Sequence, residues 1–445
     1  MLLDFKISNF KSFSEEANFS MSAAPKQKGL DYSLCVEKIK GKVKKGLSTS
    51  VIYGPNASGK TNLISAMDVL RTIVLRGNIN NAEELLTPNP ASAALELIPN
   101  NQMSGENPVK FSIVFTEAGM CIRYELYIRL GIFMDLDAKR RVVGETLVVN
   151  GDTLFERADD LVVDNLKTIS AYLGESGGQE INYLVDIAKR SLNPEELFLT
   201  NGFKLIFSAD FVKLIIDWFT NKFMVICRAD SMQLIKRFSD PQKKTVYIEK
   251  TTNDAAKIFG INSNAVGYVV TDDEAETKLF SIFKDLKGKK SVAMAADIFE
   301  SYGTLRFITI FPLVIKAILT GGVLVVDEFD ASIHPMALMS IINVFHNDDI
   351  NVNHAQLIFN THNPIFLNSN IFRRDEVKFV ERDENTNQSV LYSLSDFGTT
   401  GDKGVRQHED YMKSYFVGRY GAIKDIDFTP IFEELISQEV GNDKS

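Results

Sequence analysis

Two short stretches carry residue types and spacings suited to phosphate chemistry. The first is Gly54-Pro55-Asn56-Ala57-Ser58-Gly59-Lys60-Thr61, which matches the P-loop pattern G-x-x-x-x-G-K-[ST]. Glycines at 54 and 59 let the backbone curl so that its N–H groups converge on phosphate oxygens. A helix starting at this point adds positive potential, and Asn62 joins the binding set in its first turn. Lys60 has the reach for β- and γ-phosphates, and the Thr61 hydroxyl is a hard ligand for Mg2+. The second stretch is Asp327-Glu328, which ends the apolar run Gly321-Gly322-Val323-Leu324-Val325-Val326. Asp327 reads as a second Mg2+ ligand, direct or through water. Glu328 reads as the group that orients and activates an attacking water. The cofactors implied are ATP and Mg2+.

Both stretches need particular elements to hold them. Ser50-Val51-Ile52-Tyr53 reads as a buried strand feeding the glycine loop. Apolar residues at 63, 64, 66, 67 and 70 form one face of the helix that follows. The unbroken apolar character of 321–326 predicts a central parallel strand buried on both faces, with the acids at its carboxyl end, where open α/β sheets bind ligands. Lys60 and Asp327 are far apart in sequence, as in a head split by an insertion. Glu300-Ser301-Tyr302-Gly303-Thr304-Leu305-Arg306 precedes an apolar helix expected at 305–319. Ser301 and Gly303 there could form a second anion site, or Ser301 could simply cap the helix. Leu357-Ile358-Phe359-Asn360-Thr361-His362 reads as a short buried strand ending in a histidine. His362 there could report a γ-phosphate or could be structural. Between the two runs the segment Asp330-Ala331-Ser332-Ile333-His334-Pro335.

The chain has 445 residues, enough for two or three subdomains, with 45% hydrophobic and 24% charged residues. A net charge of -9 excludes a uniformly basic nucleic-acid binder but not a local basic patch. Cys35, Cys121 and Cys227 lack zinc spacing and suit a reducing compartment. The N-terminus lacks the pattern of a signal peptide, and Thr309, Pro312 and Lys316 interrupt the longest apolar run, so no membrane span and a cytoplasmic location are expected.

Along the chain, Leu3, Phe5 and Ile7 alternate as a strand, Asn9–Phe13 turns it, and 14–24 runs back. The lysines at 38, 40, 42, 44 and 45 suggest a solvated hairpin tip. Residues 77–107 read as a surface loop, and 111–115 pairs with 123–128. A hairpin turning at Asn150-Gly151-Asp152 spans 143–155. The expected division is an N-terminal part of the head at 1–157, a mainly helical inserted arm at 158–290, and the remainder of the head at 291–445. Within the arm, 181–191 and 209–222 show helical spacing and 223–226 that of a strand. Residues 377–381 and 390–394 read as late strands.

This set of motifs resembles the OLD/RecF/SMC branch of ABC ATPases, and more narrowly the small AAA-annotated ATPases of anti-phage and abortive-infection operons, the RloA-like group. The resemblance rests on Asn9-Phe10-Lys11-Ser12-Phe13, the P-loop, Ser301-Tyr302-Gly303-Thr304, Asp327-Glu328-Phe329-Asp330, His334-Pro335, Thr361-His362-Asn363 and Gly418-Arg419-Tyr420-Gly421-Ala422-Ile423. Tyr302-Gly303-Thr304 stands where transporters have Gly-Gly-Gln, and Lys424 where a proline is expected. The resemblance implies an α/β ABC-type ATPase head, a mixed sheet around the P-loop core. It implies a homo-oligomer of at least a head-to-tail dimer, in which Ser301, Gly303 and Asp330 of one copy complete the ATP site of another. Lys11 or Phe13 is the candidate for a place near the base. The segment Asp425-Ile426-Asp427 lacks the acidic cluster of a TOPRIM nuclease, so the expected partner is a separately encoded effector such as a nuclease. Two other settings remain open: a RecF-like, ATP-gated DNA-binding repair ATPase, with nucleic acid as partner, and a scaffold that binds ATP with little hydrolysis.

Overall fold

Five parallel strands and one antiparallel strand form the sheet that carries the chemistry in the computed structural model of the chain. Their order is Phe223–Ile226, Val323–Val326, Gln356–Asn360, Thr49–Tyr53, Val377–Arg382 and Ser389–Ser393. The structure describes all residues except 26, 28, 81–95, 101–106, 131–139, 174–180, 228–249, 271–276, 286–290, 399–403, 407–408, 425 and 443–445. The register aligns Ile226 with Val326, Val326 with Phe359, and Asn360 with Ile52. The glycine loop, the two acids and the segment ending in His362 therefore leave the sheet at the same edge.

The central strands are apolar throughout because both faces are covered. Ile52, Val323, Val325 and Ile358 point into one core, and Val51, Leu324, Val326, Leu357 and Phe359 into the other. On the first face lies the helix Lys60–Arg76, whose Leu63, Ile64, Met67, Leu70, Ile73 and Val74 are buried. Each such side chain contributes about 1.5–3 kcal/mol when removed from water, so packing rather than helix propensity fixes this helix. Its other side meets a seven-stranded antiparallel sheet built from Leu2–Ser8, Ala17–Ser20, Val109–Glu117, Met120–Arg129, Arg141–Val149, Asp152–Arg157 and Leu161–Val163. The helices Tyr302–Thr320 and Pro335–Phe345 cover the second face. The α/β class read from the sequence is the class observed.

The segment 158–290 is not a single arm, which corrects the expectation. Phe211, Val212, Ile215, Trp218 and Phe219 belong to the core of the head, with Trp218 stacked on Phe115 at 3.9 Å. Phe223–Ile226 then enters the central sheet beside Val323–Val326. The later part packs on the second face, with Ala256 and Val266 in the core there. There the helix Lys250–Phe259 stacks Phe259 on Phe307 at 4.4 Å, next to a meander of Ala265–Val270, Thr277–Lys284 and Ser291–Ala295. Within the meander Ser281 is fully buried and donates to Glu300 Oε1 at 2.8 Å, which ties the middle strand to the residue before Ser301.

The lysine-rich piece is a two-stranded hairpin, Leu34–Ile39 with Lys42–Leu47, turning at Lys40-Gly41 with Lys40, Lys42 and Lys45 exposed. Most of the loop expected at 77–107, and Asp425, lie outside the described residues. Among the described residues one helix, Tyr302–Thr320, is long and apolar enough to cross a membrane. Its Ile308, Ile310, Val314 and Ala317 are instead part of the core behind the central sheet.

Candidate nucleotide site

Close approach dictates the loop glycines. A Cβ at Gly54 would stand 2.2 Å from the Val380 carbonyl oxygen. Gly59, at φ 114°, would place one 2.6 Å from Ser389 Oγ and 2.8 Å from Ser12 Oγ. Gly59 is also the N-cap of Lys60–Arg76, and no side chain caps that helix. Its first N–H groups thus remain available to an anion. Ser58 Oγ is buried in the loop without a hydrogen-bond partner among the described residues. Lys60 Nζ donates to the carbonyls of Gly54 at 2.7 Å and Pro55 at 2.9 Å, folding back over the loop. Burial pulls the Lys60 ammonium down to about 8, against the upward pull of Asp327 and Glu328.

The acids sit one residue beyond their strand. The Asp327 N–H donates to Ile226 O at 2.9 Å, so the neighbouring strand fixes its backbone. Its Oδ1 accepts from Thr61 Oγ1 at 3.2 Å and from Asn360 Nδ2 at 2.5 Å. Burial raises the Asp327 carboxyl above its ordinary value, and the hydrogen bonds from Asn360 and Thr61 oppose that rise. Glu328 adopts a left-handed backbone at φ 49° and its side chain is exposed. A non-glycine residue there carries strain of about 1–2 kcal/mol that the surroundings must offset. Asn360 Oδ1 accepts the Glu328 N–H, and the Arg306 guanidinium donates to both the Asp327 and Glu328 carbonyls.

Behind the acids, Thr361 Oγ1 donates to Asp330 Oδ2 at 2.6 Å, which ties the next loop to the end of Gln356–Asn360. His362 lies two residues beyond that strand with an edge open to solvent. Desolvation, and then the Lys60 charge, hold its imidazolium below the usual value, while Asp330 and Glu328 pull the other way. Lys60, Thr61, Asp327, Glu328, Asp330 and His362 thus share one cleft.

Ser301 caps Tyr302–Thr320, its Oγ accepting from Thr304 N at 3.1 Å. The capping alternative therefore describes the local geometry, although Ser301 itself is exposed. Gly303 is buried against the loop after the acids, where a Cβ would lie 2.0 Å from Ser332 O. His334 caps Pro335–Phe345 through Nδ1, accepting from Met336 N at 3.2 Å. Lys11 differs from expectation. Its Nζ donates to Ser65 Oγ and Glu96 Oε2, both at 2.8 Å, because the left-handed turn at Lys11 aims it along the flank of the P-loop helix. Ser12 touches the loop instead, its Oγ accepting from Asn62 Nδ2 at 2.8 Å and from Ser389 Oγ at 2.7 Å.

The Gly418–Ile423 motif is a clasp. Tyr392 Oη donates to Tyr420 O at 2.8 Å and Tyr415 Oη to Ala422 O at 2.8 Å, while the Tyr415 ring packs on Tyr53, the residue before the loop. The sequence reading assigned no role to Asn360 or Arg306. The signals were a polar residue closing an apolar strand and, with Lys316, one of two charges in a 19-residue helix.

The donor set fits a nucleotide with Mg2+. The uncapped helix start, the orphaned Ser58 hydroxyl and the crowded glycines form a cradle for an anion. Thr61 and Asp327 offer two hard oxygen ligands, the kind of set Mg2+ accepts when phosphates and water supply the rest. Among the described residues no group of three or more His, Cys, Asp or Glu side chains is arranged as metal ligands.

A family model described as AAA domain, putative AbiEii toxin, Type IV TA system matches residues 50–157 and 228–368. No curated protein matches the sequence. Among solved structures, the SMC head domain from Thermotoga maritima is similar at 13% identity over 88% of this chain and 98% of that one, with a TM-score of 0.34. An SmcHead bound to the C-winged helix domain of ScpA is similar at 11% identity over 88% and 97%, with a TM-score of 0.38. An Smc head domain with an extended coiled coil, bound to the C-terminal domain of ScpA derived from Pyrococcus furiosus, is similar at 12% identity over 88% and 96%, with a TM-score of 0.35.

Proposed function

The chain belongs to this family of AAA domains, and from that premise we propose that it is an ABC-type ATPase whose ATP–Mg2+ site is completed by a second copy of the chain. The observation that supports this most strongly is the meeting of Thr61 with Asp327 at 3.2 Å on the edge that also holds Lys60, Glu328 and His362. Lys60 exchanges the carbonyls of Gly54 and Pro55 for phosphate oxygens. Thr61 and Asp327 hold the metal, which when bound offsets charge on the phosphates. Glu328 orients a water and takes its proton. His362 hydrogen-bonds the terminal phosphate. The exposed Ser301 turn closes the site of the opposite copy head to tail, with Gly303 and Asp330 supporting it. The head would comprise 1–157 and 291–445 together with 197–226, whose Phe211, Trp218 and Phe223 share its core.

The setting we favour is prokaryotic anti-phage defence, in which nucleotide state switches a separately encoded effector such as a nuclease. The family's association with a toxin–antitoxin system supports this setting. The exposed lysines of the 34–47 hairpin favour a second reading, an ATP-gated DNA-binding repair ATPase. Salt-dependent DNA binding centred on Lys40, Lys42 and Lys45 separates the two. Phosphate release from ATP with Mg2+, compared with Lys60→Ala, tests the core reading. Turnover lost in the variant supports it. An inactive wild type, or turnover equal in both proteins, overturns it and leaves the ATP-binding scaffold.

A further inference from the structure

We infer that Arg306 is a positioning residue that locks Glu328 in its working geometry and links it mechanically to the Ser301 turn. The inference rests on the two-copy reading above and specifies how its sites would communicate.

Arg306 lies in the second turn of Tyr302–Thr320, a helix otherwise apolar except for Lys316 among its charged positions. It is buried, 8% exposed, and no carboxylate among the described residues pairs with it. One guanidinium nitrogen, Nη2, instead donates to Asp327 O at 3.2 Å and to Glu328 O, while Nε has no hydrogen-bond partner among the described residues. Burying a cation against neutral acceptors, with one donor idle, is unfavourable for packing alone, and leucine would fill the space with no such cost. The two carbonyls chosen are those on either side of Glu328. Asn360 Oδ1 holds the Glu328 N–H from the opposite direction. Both peptide groups around a left-handed residue are thereby fixed, although the Glu328 carboxylate makes no hydrogen bond among the described residues.

The same helix presents the exposed Ser301 five residues earlier, and Gly303 abuts Ser332 O in the loop after the acids. A helix transmits displacement along its axis as a rigid element. Engagement of Ser301 by a phosphate held on the second copy is thus felt, through Arg306, at the Glu328 of Ser301's own copy. Each site then reports its occupancy to the other.

The test uses full-length protein with Arg306→Ala, Arg306→Lys, Ser301→Ala and the Arg306→Ala/Ser301→Ala double variant. A fluorescent ATP analogue gives Kd, phosphate release gives kcat, and thermal melting gives the folded fraction. Expected for Arg306→Ala are a Kd within about threefold of wild type and a kcat lower by about tenfold or more. Lysine keeps a charge but not the fork, so Arg306→Lys should recover part of the loss. Ser301→Ala should lower kcat in the wild type but by less in the Arg306→Ala background, as expected of residues that act as a unit. Wild-type kcat in Arg306→Ala overturns the inference, as does a loss that follows the unfolded fraction with no rescue by lysine, or strict additivity with Ser301→Ala. A wild type that binds but never hydrolyses ATP overturns the functional reading itself, an outcome distinct from all of these.

Discussion

Thr61 Oγ1 donates to Asp327 Oδ1 at 3.2 Å across 266 positions of sequence. Each lies just past an element of one sheet. Thr61 follows the loop leaving Thr49–Tyr53, and Asp327 ends Val323–Val326, with Gln356–Asn360 between them. The two strands are not adjacent, so the contact spans the width of a strand and fixes the distance between the loop and the acids. A metal ion held by this pair would replace the direct hydrogen bond.

Magnesium dependence follows from that geometry. Thr61→Ala removes one hard ligand and Asp327→Asn removes the charge of the other. Each should raise the Mg2+ concentration for half-maximal hydrolysis by about tenfold or more. Titration of Mg2+ at fixed ATP reads this directly, and an unchanged midpoint in both variants would remove the metal assignment.

Lys60 gives a pH dependence of known sign. With its ammonium near 8 before nucleotide binds, the residue is charged at pH 7 and mostly neutral at pH 9. Phosphate favours the charged form, so affinity is full below pH 8 and declines above it. If only the ammonium binds, the Kd for ATP should weaken about tenfold between pH 7 and pH 9, with proton uptake on binding at the upper end. Lys60→Arg stays charged, so any affinity it retains should be flat over this range. A flat wild-type profile would contradict the shifted lysine.

Asn360 serves both acids at once, donating to Asp327 and accepting from the Glu328 N–H. Asn360→Ala leaves the Glu328 N–H without its acceptor and Asp327 Oδ1 with Thr61 alone, and should cost about 1–3 kcal/mol in urea denaturation. Its kcat should fall further than its ATP affinity. Asn360→Asp puts a third carboxylate beside two others and should weaken activity more than alanine does at pH 8. An Asn360→Ala protein with normal kcat would mean that the backbone alone positions Glu328.

The sequence makes the chemistry legible where a motif is local. The P-loop announces itself because its glycines are demanded by close contacts and its flanks show strand and helix periods. The acids stand out because Val323–Val326 is apolar on both faces. What stayed hidden depends on contacts between distant segments. Arg306 and Asn360 look ordinary in sequence, and only the sheet register brings them to Glu328. Phe223–Ile226 was readable as a strand, but not as the neighbour of Val323–Val326, because a short apolar run does not name its partner. The contact of Lys11 is hidden for the same reason: Glu96, which holds it, lies 85 residues away.

Glu328→Gln tests the shared site most directly. Light scattering of this variant with and without ATP and Mg2+ should give the mass of one chain without nucleotide and of two with it, since the site closes but does not turn over. Addition of Ser301→Arg should return the mass to one chain. A mass indifferent to ATP, or phosphate release at the wild-type rate by Glu328→Gln, would contradict the two-copy ATPase.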